Sequence, residues 1–354
     1  MTCTRKKSMG PTRVRLGVLV LFISLAVATA GCGGSAEGEA NADFQACLMV
    51  GSSGVADRSF NQQAWTALQR VSEEKGIESK YLVASGSVDF AQIGDQFVRA
   101  GCTLIVGQGF ETAETIQDLA SANPETQFVV TDTVLEDELP NVVSIHYRID
   151  QASFLAGFAA AGMSSSGVVG VVGNTNIPPV ELYLDGWVAG VRHYNQVHDA
   201  EVRTVGWNPE KRTGTFVGSF TDTNKAGVLT QSAIDQGADV IMPLLGGDQA
   251  IRAAGGPDAG HYMVWPDTDG CVSNPPVCDL LLTSVLKNID TSLGDIVSAA
   301  VDGEFEAGTH EGTLENDGVG IAGFHENEDR VPEPLATELE ELRAQIVAGE
   351  VVTS

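Results

Sequence analysis

Two phenylalanines stand among short polar residues at points where helices are expected to begin. Phe60 is followed by Asn61 and preceded by Asp57 and Ser59, either of which could cap the helix. Phe220 occupies a similar polar setting further along the chain. Rings from two separate loops could hold a planar ring between them, and each stacked contact would contribute about 1–3 kcal/mol. Alternatively, Phe60 is a hydrophobic staple that fixes the start of its helix.

The remaining candidates for binding chemistry are residues that follow apolar runs. Asp132 and Asp267 each end such a run, and Gly246 follows another, where it permits close approach of the backbone. Lys287 comes directly after the run 281–286 and is one of only two lysines beyond residue 211. A carboxylate beside an ammonium group can accept from and donate to two vicinal hydroxyls. The alternative is an ion pair that only stabilises a hinge.

These residues need a scaffold in which several strand ends come together. From residue 45 onward, short apolar runs alternate with stretches of helical periodicity, which predicts parallel strands covered by helices on both faces. In such sheets, ligands bind beyond the carboxyl ends of the strands, where the candidates lie. The strands fall into two series, predicted at 46–51, 80–84, 103–107, 127–132 and 141–146, then at 167–173, 201–206, 239–245 and 261–266.

Two blocks of similar length favour two lobes over one long sheet. The predicted fold class is α/β, with two doubly wound parallel-sheet lobes joined by a hinge. We assign residues 45–147 plus about 281–303 to lobe 1, and 148–280 plus about 304–330 to lobe 2. Residues 331–354 are expected to form a C-terminal helix and tail. The loops of both sheets would then face one cleft.

The first 31 residues have the pattern of an export signal. Five basic residues and no acidic residue precede the apolar run 16–30. This run is shorter than the roughly 20 residues that a spanning helix needs. The run ends in Thr29-Ala30-Gly31-Cys32, which resembles a bacterial lipobox, so Cys32 is expected to carry a lipid. Residues 32–44 are small and polar, as a flexible tether would be. An ordinary secretory signal with an incidental cysteine is the alternative.

Charge excludes one class of partner. The chain has a formal net charge of −27, and without the signal it has 15 basic and 47 acidic residues, a net charge of −32. A phosphate backbone must be met by clustered lysine and arginine, so nucleic acid is not an expected partner. We expect membrane contact through the lipid alone, and we attribute the acidity to a highly soluble surface.

Four cysteines remain after removal of Cys3 with the signal and lipidation of Cys32. An even number outside the cytoplasm predicts disulfides, with three possible connectivities. We predict Cys47–Cys102, since each begins an apolar strand-like run, and Cys271–Cys278, which enclose a short proline-containing loop. No C-x-x-C pair or histidine at ligand spacing accompanies them, so no metal site is predicted.

Four motifs together resemble the basic membrane lipoprotein family, the nucleoside-binding proteins of certain ABC transporters. Residues 57–61, Asp-Arg-Ser-Phe-Asn, are similar to the D-K-S-F-N signature of that family. The other motifs are 153–157, 186–191 and 283–288, and the resemblance extends from about Ala46 to Gly323. It implies a clamshell like that of type I periplasmic binding proteins, a small-solute ligand, an ABC permease as partner and no cofactor.

The resemblance also implies roles for individual residues. Phe60 and Phe220 would stack on a purine base, Asn61 and Asp132 would contact its edge, with Asp57 nearby, and Asp267 and Lys287 would bind the ribose. Gly246 lies in the corresponding glycine-rich segment. The chain departs from the family pattern at Arg58, at Pro243-Leu244-Leu245 and at Trp265-Pro266. Two of these departures lie near the expected ligand, so the nucleoside itself stays open.

Two other functions are alternatives to a nucleoside receptor. One is a receptor of the same fold for another small solute, such as a sugar or a signalling molecule. The other is an exported enzyme that cleaves nucleosides. The chain has no G-x-S-x-G elbow or other catalytic motif, and the Asp-Thr-Asp-Gly sequence at 267–270 lacks the later acidic residues of a calcium loop. The sequence therefore favours a binding protein that is not an enzyme.

Overall fold

The computed structural model describes residues 43–246, 248–253, 255 and 259–353. The expected signal, the lipobox with Cys32 and nearly all of the expected tether lie outside these residues. These residues group into one compact unit. Within it, two six-stranded sheets are the main elements, and each is covered by helices.

The first sheet forms lobe 1 and is parallel throughout. Its strands are ordered β13-β5-β4-β3-β1-β2. Successive residues of β1 enter different cores: Leu48 packs with helix α1, whereas Met49 packs with α2 and α3. This alternation shows that both faces are covered, as the apolar runs predicted. The strands are β1 (Gln45–Val50), β2 (Glu78–Val83), β3 (Leu104–Gly107), β4 (Gln127–Thr131), β5 (Val142–Tyr147) and β13 (Gly308–Gly312), and the helices are α1 (Phe60–Lys75), α2 (Ser87–Arg99), α3 (Ala113–Ala122) and α9 (Ile289–Val301).

The second sheet forms lobe 2, with the order β14-β12-β11-β10-β6-β7. Its pairings are parallel except that β14 runs antiparallel to β12. A short antiparallel ribbon, β8 (Trp207–Asn208) with β9 (Thr213–Gly214), stands beside it. The strands are β6 (Val168–Val172), β7 (Arg203–Val205), β10 (Val240–Pro243), β11 (Tyr262–Asp267), β12 (Leu281–Lys287) and β14 (Val319–Ile321), and the helices are α4 (Ile149–Met163), α5 (Pro178–His198), α6 (Thr223–Asp235), α7 (Asp248–Ala253), α8 (Gly270–Ser273) and α10 (Glu333–Val347).

The sheets correct the predicted course of the tail. We assigned 281–303 to lobe 1, but the strand within it, β12, lies in the second sheet between β11 and β14. Strand β13, expected in lobe 2, pairs with β5 of the first sheet. Helix α9 does pack on α1 of lobe 1. An apolar run predicts a buried strand but not the sheet it joins, because either sheet could bury it equally well.

Within the part of the chain that the structure describes, the backbone crosses between the lobes three times, and the crossings are hydrogen-bonded to one another. Arg148 N, after β5, donates to Gly312 O at 2.8 Å, and Asn288 N, after β12, donates to Gly318 O at 3.0 Å. The third crossing runs from Gly312, the last residue of β13, to the start of β14, and both acceptors belong to it. These three crossing segments together correspond to the predicted hinge.

Two of the motifs that carried the family resemblance pack α4 against α5. A Cβ on Gly186 would lie 2.4 Å from Asp150 O, and one on Gly190 would lie 2.0 Å from Phe154 O. These glycines therefore let the two backbones approach closely, and their role is structural.

Both predicted disulfides are confirmed. Cys47 on β1 bonds to Cys102, just before β3, with the Cα atoms 6.1 Å apart. Cys271 bonds to Cys278 across the proline-containing loop, with a Cα separation of 4.5 Å.

Candidate functional site

The carboxyl ends of strands from both sheets border one cavity of about 570 Å³. This volume lies within the range of about 300–1,000 Å³ that is usual for small-molecule sites. All eight residues singled out as ligand contacts in the sequence line it: Asp57, Phe60, Asn61, Asp132, Phe220, Gly246, Asp267 and Lys287.

Lys287 is the buried centre of the cavity. Lys287 is the last residue of β12 in lobe 2, and its side chain is only 2% exposed. Nζ donates to Asp132 Oδ1 and Oδ2, at 2.8 and 2.9 Å, and lies 3.9 Å from Asp267 Oδ1. Because Asp132 follows β4 of lobe 1, this ion pair joins the two lobes. Removing the ammonium would leave two largely buried carboxylates without their counter-charge.

Three aromatic rings surround the same ammonium group. Lys287 Nζ lies 5.1 Å from the ring centroids of Phe60 and Tyr183 and 5.7 Å from that of Tyr147. Each ring presents its negative face to a cation at these distances. Burial raises the pKa of both tyrosine hydroxyls above the ordinary value, with nearby aspartates adding to the shift, so both stay protonated.

Asp267 is held from both lobes. Ser59 Oγ, from lobe 1, donates to Asp267 Oδ2 at 2.7 Å, and the Tyr183 hydroxyl, from α5 of lobe 2, donates to Oδ1. Gln63 of α1 donates to the Asp267 main-chain oxygen at 3.0 Å. Asp132 and Asp267 have φ angles of 63° and 66°. Each therefore adopts the left-handed backbone conformation, which is uncommon for residues other than glycine, at the end of its strand.

Asp57 caps α1, which settles one of the alternatives left open by the sequence. Its Oδ1 accepts from Ser59 N and Gln62 N, and its Oδ2 accepts from Asn61 N at 2.9 Å. Burial raises the pKa of the Asp57 carboxyl, and these three N–H bonds oppose the shift. Ser59 does not cap the helix, because its hydroxyl is directed to Asp267.

Asn61 faces the cavity from the first turn of α1. Both of its amide protons are used: Nδ2 donates to Ser53 Oγ at 2.8 Å and to Gly54 O at 3.1 Å. Within the described ranges, its Oδ1 accepts no hydrogen bond. Asn61 is therefore oriented as an acceptor for a ligand.

The two phenylalanines reach the cavity from opposite lobes, and both are half-buried. Phe60 is the first residue of α1, and its main-chain oxygen accepts from Gln108 Nε2 at 3.0 Å. A Cβ on Gly109 would lie 3.3 Å from the Phe60 ring, so that position is restricted to a small residue. Phe220 lies in the loop before α6. Gly246 borders the cavity beside Trp265. A Cβ on Gly246 would lie 3.3 Å from the Trp265 ring.

Several cavity residues were missed in the sequence. Tyr183 lies within a helix, so neither strand-end position nor loop composition marked it. Gln108 follows β3 directly and Glu111 comes three residues later, and the rule that ligands bind beyond strand ends would have found both. Gln108 Oε1 accepts from Thr131 Oγ1 at 2.9 Å and thereby braces the ends of β3 and β4.

One cluster outside the cavity has the residue types of a metal site. Ligand atoms of Asp269, Cys271 and His325 lie within 4.8 Å of one another. Cys271 is in a disulfide, however, and so supplies no thiolate. His325 Nε2 and Asp269 Oδ2 are 2.8 Å apart and form a local polar contact.

None of the described helices is both long enough and apolar enough to cross a membrane.

Comparisons with known proteins agree with this architecture. An ABC transporter nucleoside-binding protein, BmpA, from Lactococcus lactis is 25% identical over 83% of this chain and 86% of its own length. A Listeria monocytogenes protein named CD4+ T-cell-stimulating antigen is 26% identical over 94% of this chain and 96% of its own. A solute-binding protein of an ABC transporter system from Aeropyrum pernix K1 superposes with a TM-score of 0.79 at 22% identity, over 88% of this chain and 94% of its own.

The structural likeness shows a shared two-lobe fold, and the family follows from the sequence. Residues 44–353 match the family described as ABC transporter substrate-binding protein PnrA-like, which spans nearly all of the described chain. The chain therefore belongs to the PnrA-like family of ABC transporter substrate-binding proteins.

Proposed function

We propose that this protein is a lipid-anchored extracytoplasmic receptor that binds a purine nucleoside between its lobes and presents it to an ABC permease. The observation that carries the proposal is the buried Lys287 between Asp132 and Asp267, beside the Phe60 ring, in one cavity. A nucleoside needs these two features side by side: polar groups for its vicinal hydroxyls and a flat apolar surface for its base.

In this proposal, Asp267 and Lys287 bind the ribose. The carboxylate accepts a hydrogen bond from one hydroxyl while the ammonium group donates to the other. Tyr183 and Ser59 hold Asp267 in place from opposite lobes, so little side-chain freedom is lost when the ligand binds.

The base would occupy the space between the Phe60 and Phe220 rings. Asn61 Oδ1 would accept from its edge, and Asp132 would contact the adjoining edge through the carboxylate that Lys287 already holds. Asp57 acts indirectly, because it fixes the first turn of α1 and with it Phe60 and Asn61. Gly246 keeps the lobe 2 wall of the cavity close to Trp265.

Ligand release requires the lobes to separate. The described bonds between the lobes include Ser59 Oγ to Asp267, Gln63 to the Asp267 main-chain oxygen and Lys287 to Asp132. Lys287 directly precedes the crossing at Asn288, so we expect hinge motion to displace the Lys287–Asp132 pair less than the parts of the cleft further along the chain from the crossings.

The binding proposal is tested by native mass spectrometry of the purified soluble domain, followed by calorimetric titration. We expect a retained purine nucleoside and dissociation constants between about nanomolar and micromolar, or about −12 to −8 kcal/mol. Hexoses and pentoses form the comparison series. Binding of a sugar without any nucleoside would contradict the proposal and favour the other receptor of this fold.

Catalysis is tested in the same preparation. Inosine incubated with the protein is expected to be recovered intact, with no free hypoxanthine above a protein-free control. Release of the base in proportion to protein concentration would show that the cavity belongs to an enzyme.

The anchor is tested by Cys32→Ala in the full-length chain. The wild type is expected in the detergent-rich phase after phase partitioning, and the variant in the aqueous phase, because one lipid chain contributes about 0.8 kcal/mol for each buried methylene. Equal partitioning of both proteins would contradict lipidation at Cys32.

A further inference from the structure

Among the described residues, Glu111 differs from the other acidic side chains that line the cavity in its lack of a polar protein partner. Four carboxylates line the cavity: Asp57, Glu111, Asp132 and Asp267. Asp57 caps α1, Asp132 pairs with Lys287, and Asp267 accepts from Ser59 and Tyr183. Among the described residues, Glu111 has neither a hydrogen-bond nor an ion-pair partner.

The position of Glu111 places it at the edge of the proposed base site. It follows β3 in the short 3-10 helix Phe110–Thr112, two residues after Gly109, on which a Cβ would lie 3.3 Å from the Phe60 ring. Its Oε2 lies 4.0 Å from where a Cβ on Gly51 would stand. Gly51 begins the turn closed by Gly54 N donating to Gly51 O, and that turn also holds Asn61.

Glu111 thus lies two residues from the glycine beside the Phe60 ring and near the turn that holds Asn61, and its side chain is exposed to solvent. Partial burial raises the pKa of the Glu111 carboxyl. A base that closes over this group would remove more of its water, and the ligand must then supply the hydrogen bonds that are lost.

We propose that Glu111 determines specificity by accepting two hydrogen bonds from a base with adjacent N–H donors, so that the site prefers guanosine to inosine and adenosine. This inference rests on the nucleoside-binding function proposed above. A carboxylate has two acceptor oxygens and no donor when ionised. The guanine N1–H and 2-amino groups lie side by side and match this pair of acceptors in the bidentate manner of strong charge-assisted contacts.

Inosine and adenosine provide a matched pair of comparisons. Inosine keeps the N1–H group of guanosine but lacks the 2-amino group, so it can donate once at this edge. Adenosine has an acceptor at N1, which would face the carboxylate unfavourably. Each lost charge-assisted bond is expected to lower affinity about tenfold or more.

The test is calorimetric titration of the wild type and of Glu111→Gln with guanosine, inosine and adenosine. The wild type is expected to bind guanosine about tenfold or more tightly than inosine. In Glu111→Gln this ratio is expected to fall to about threefold or less, with inosine affinity little changed, because the amide keeps the shape but has one acceptor oxygen.

Glu114→Gln is the matched control. Glu114 is an exposed acidic residue in the first turn of α3, three positions further on, and it does not line the cavity. This variant is expected to keep the wild-type guanosine preference, and both variants are expected to keep the wild-type thermal midpoint.

Two results would overturn the inference while leaving nucleoside binding intact. They are equal affinity of the wild type for guanosine and inosine, and a guanosine preference that Glu111→Gln leaves unchanged. A wild type that binds none of the three nucleosides would instead overturn the proposed function, and the role of Glu111 with it.

Discussion

The N-termini of α1 and α6 both bring a phenylalanine to the cavity, but they are held in different ways. Around Phe60, Ser59 bonds to Asp267, and Thr268 Oγ1 donates to the Arg58 main-chain oxygen, so this helix end is fixed by the opposite lobe. Around Phe220, the bonds join near neighbours, such as Thr221 N donating to Ser219 Oγ.

This difference suggests a division of labour between the two helix ends. The α1 end is already docked on lobe 2 and on the buried Lys287, so it forms a preorganised wall of the cavity. The α6 end depends on its own loop, and we interpret it as the wall that adjusts to the ligand. Preorganisation lowers the entropic cost of binding, whereas an adjustable wall permits entry and release.

The largest expected effect separates the two lysines beyond residue 211. Lys287→Met should reduce the free energy of unfolding by about 3–5 kcal/mol, because it leaves Asp132 and Asp267 without a counter-charge. Lys225→Met is the control, since Lys225 is exposed and its Nζ donates to the Val217 main-chain oxygen near the α6 end. It should cost about 1 kcal/mol or less in urea unfolding. Equal losses of unfolding free energy in the two variants would show that the α1 end is not held more firmly than the α6 end.

The next effect concerns ligand affinity. Phe60→Ala and Phe220→Ala should each weaken nucleoside binding by about 1–3 kcal/mol, measured by calorimetry. Only Phe60→Ala should also lower the thermal midpoint, because its ring contacts Lys287 as well as the cavity. The double variant should lose measurable binding while remaining folded. Unchanged affinity in either single variant would remove that ring from the base site.

A smaller effect compares the helix caps. Asp57→Ala should destabilise the protein by up to about 2 kcal/mol, because the half-buried Asp57 accepts three N–H bonds. Asp222→Ala should cost about 1 kcal/mol or less, since Asp222 is exposed and accepts one bond, from Lys225 N. Chemical denaturation measures the loss of unfolding free energy in each variant. A larger loss in Asp222→Ala than in Asp57→Ala would contradict this comparison.

The smallest effect is a pH dependence at Asp57. Burial raises the pKa of this carboxyl in the folded state, so the folded protein binds its proton more readily than the unfolded chain does. The stability of the wild type relative to Asp57→Asn should therefore rise as the pH falls through the raised pKa of the folded state towards the ordinary pKa of an aspartate. Parallel unfolding curves across this range would contradict a raised pKa.

The sequence was informative where function depends on position along the chain. Asp132, Asp267 and Lys287 were identified because polar residues at the ends of apolar runs must lie at the carboxyl edge of a parallel sheet. All three do line the cavity. Their partners could not be predicted, because the contact between Lys287 and Asp132 depends on how the two lobes meet.

Two other features were beyond a reading of the sequence. Tyr183 reaches Asp267 from the second turn of a long helix, where its type and spacing fit ordinary core packing. Strand β12 was assigned to the wrong lobe because its buried residues suit either sheet. In both cases the decisive contact joins segments far apart in the chain, which periodicity does not encode.

A crystal structure of the protein with guanosine bound would test the central claim most directly. We predict density for the base between the Phe60 and Phe220 rings, with ribose hydroxyls within hydrogen-bonding distance of Asp267 and Lys287. A nucleoside bound elsewhere, or a cavity that stays without nucleoside at saturating ligand, would contradict the account.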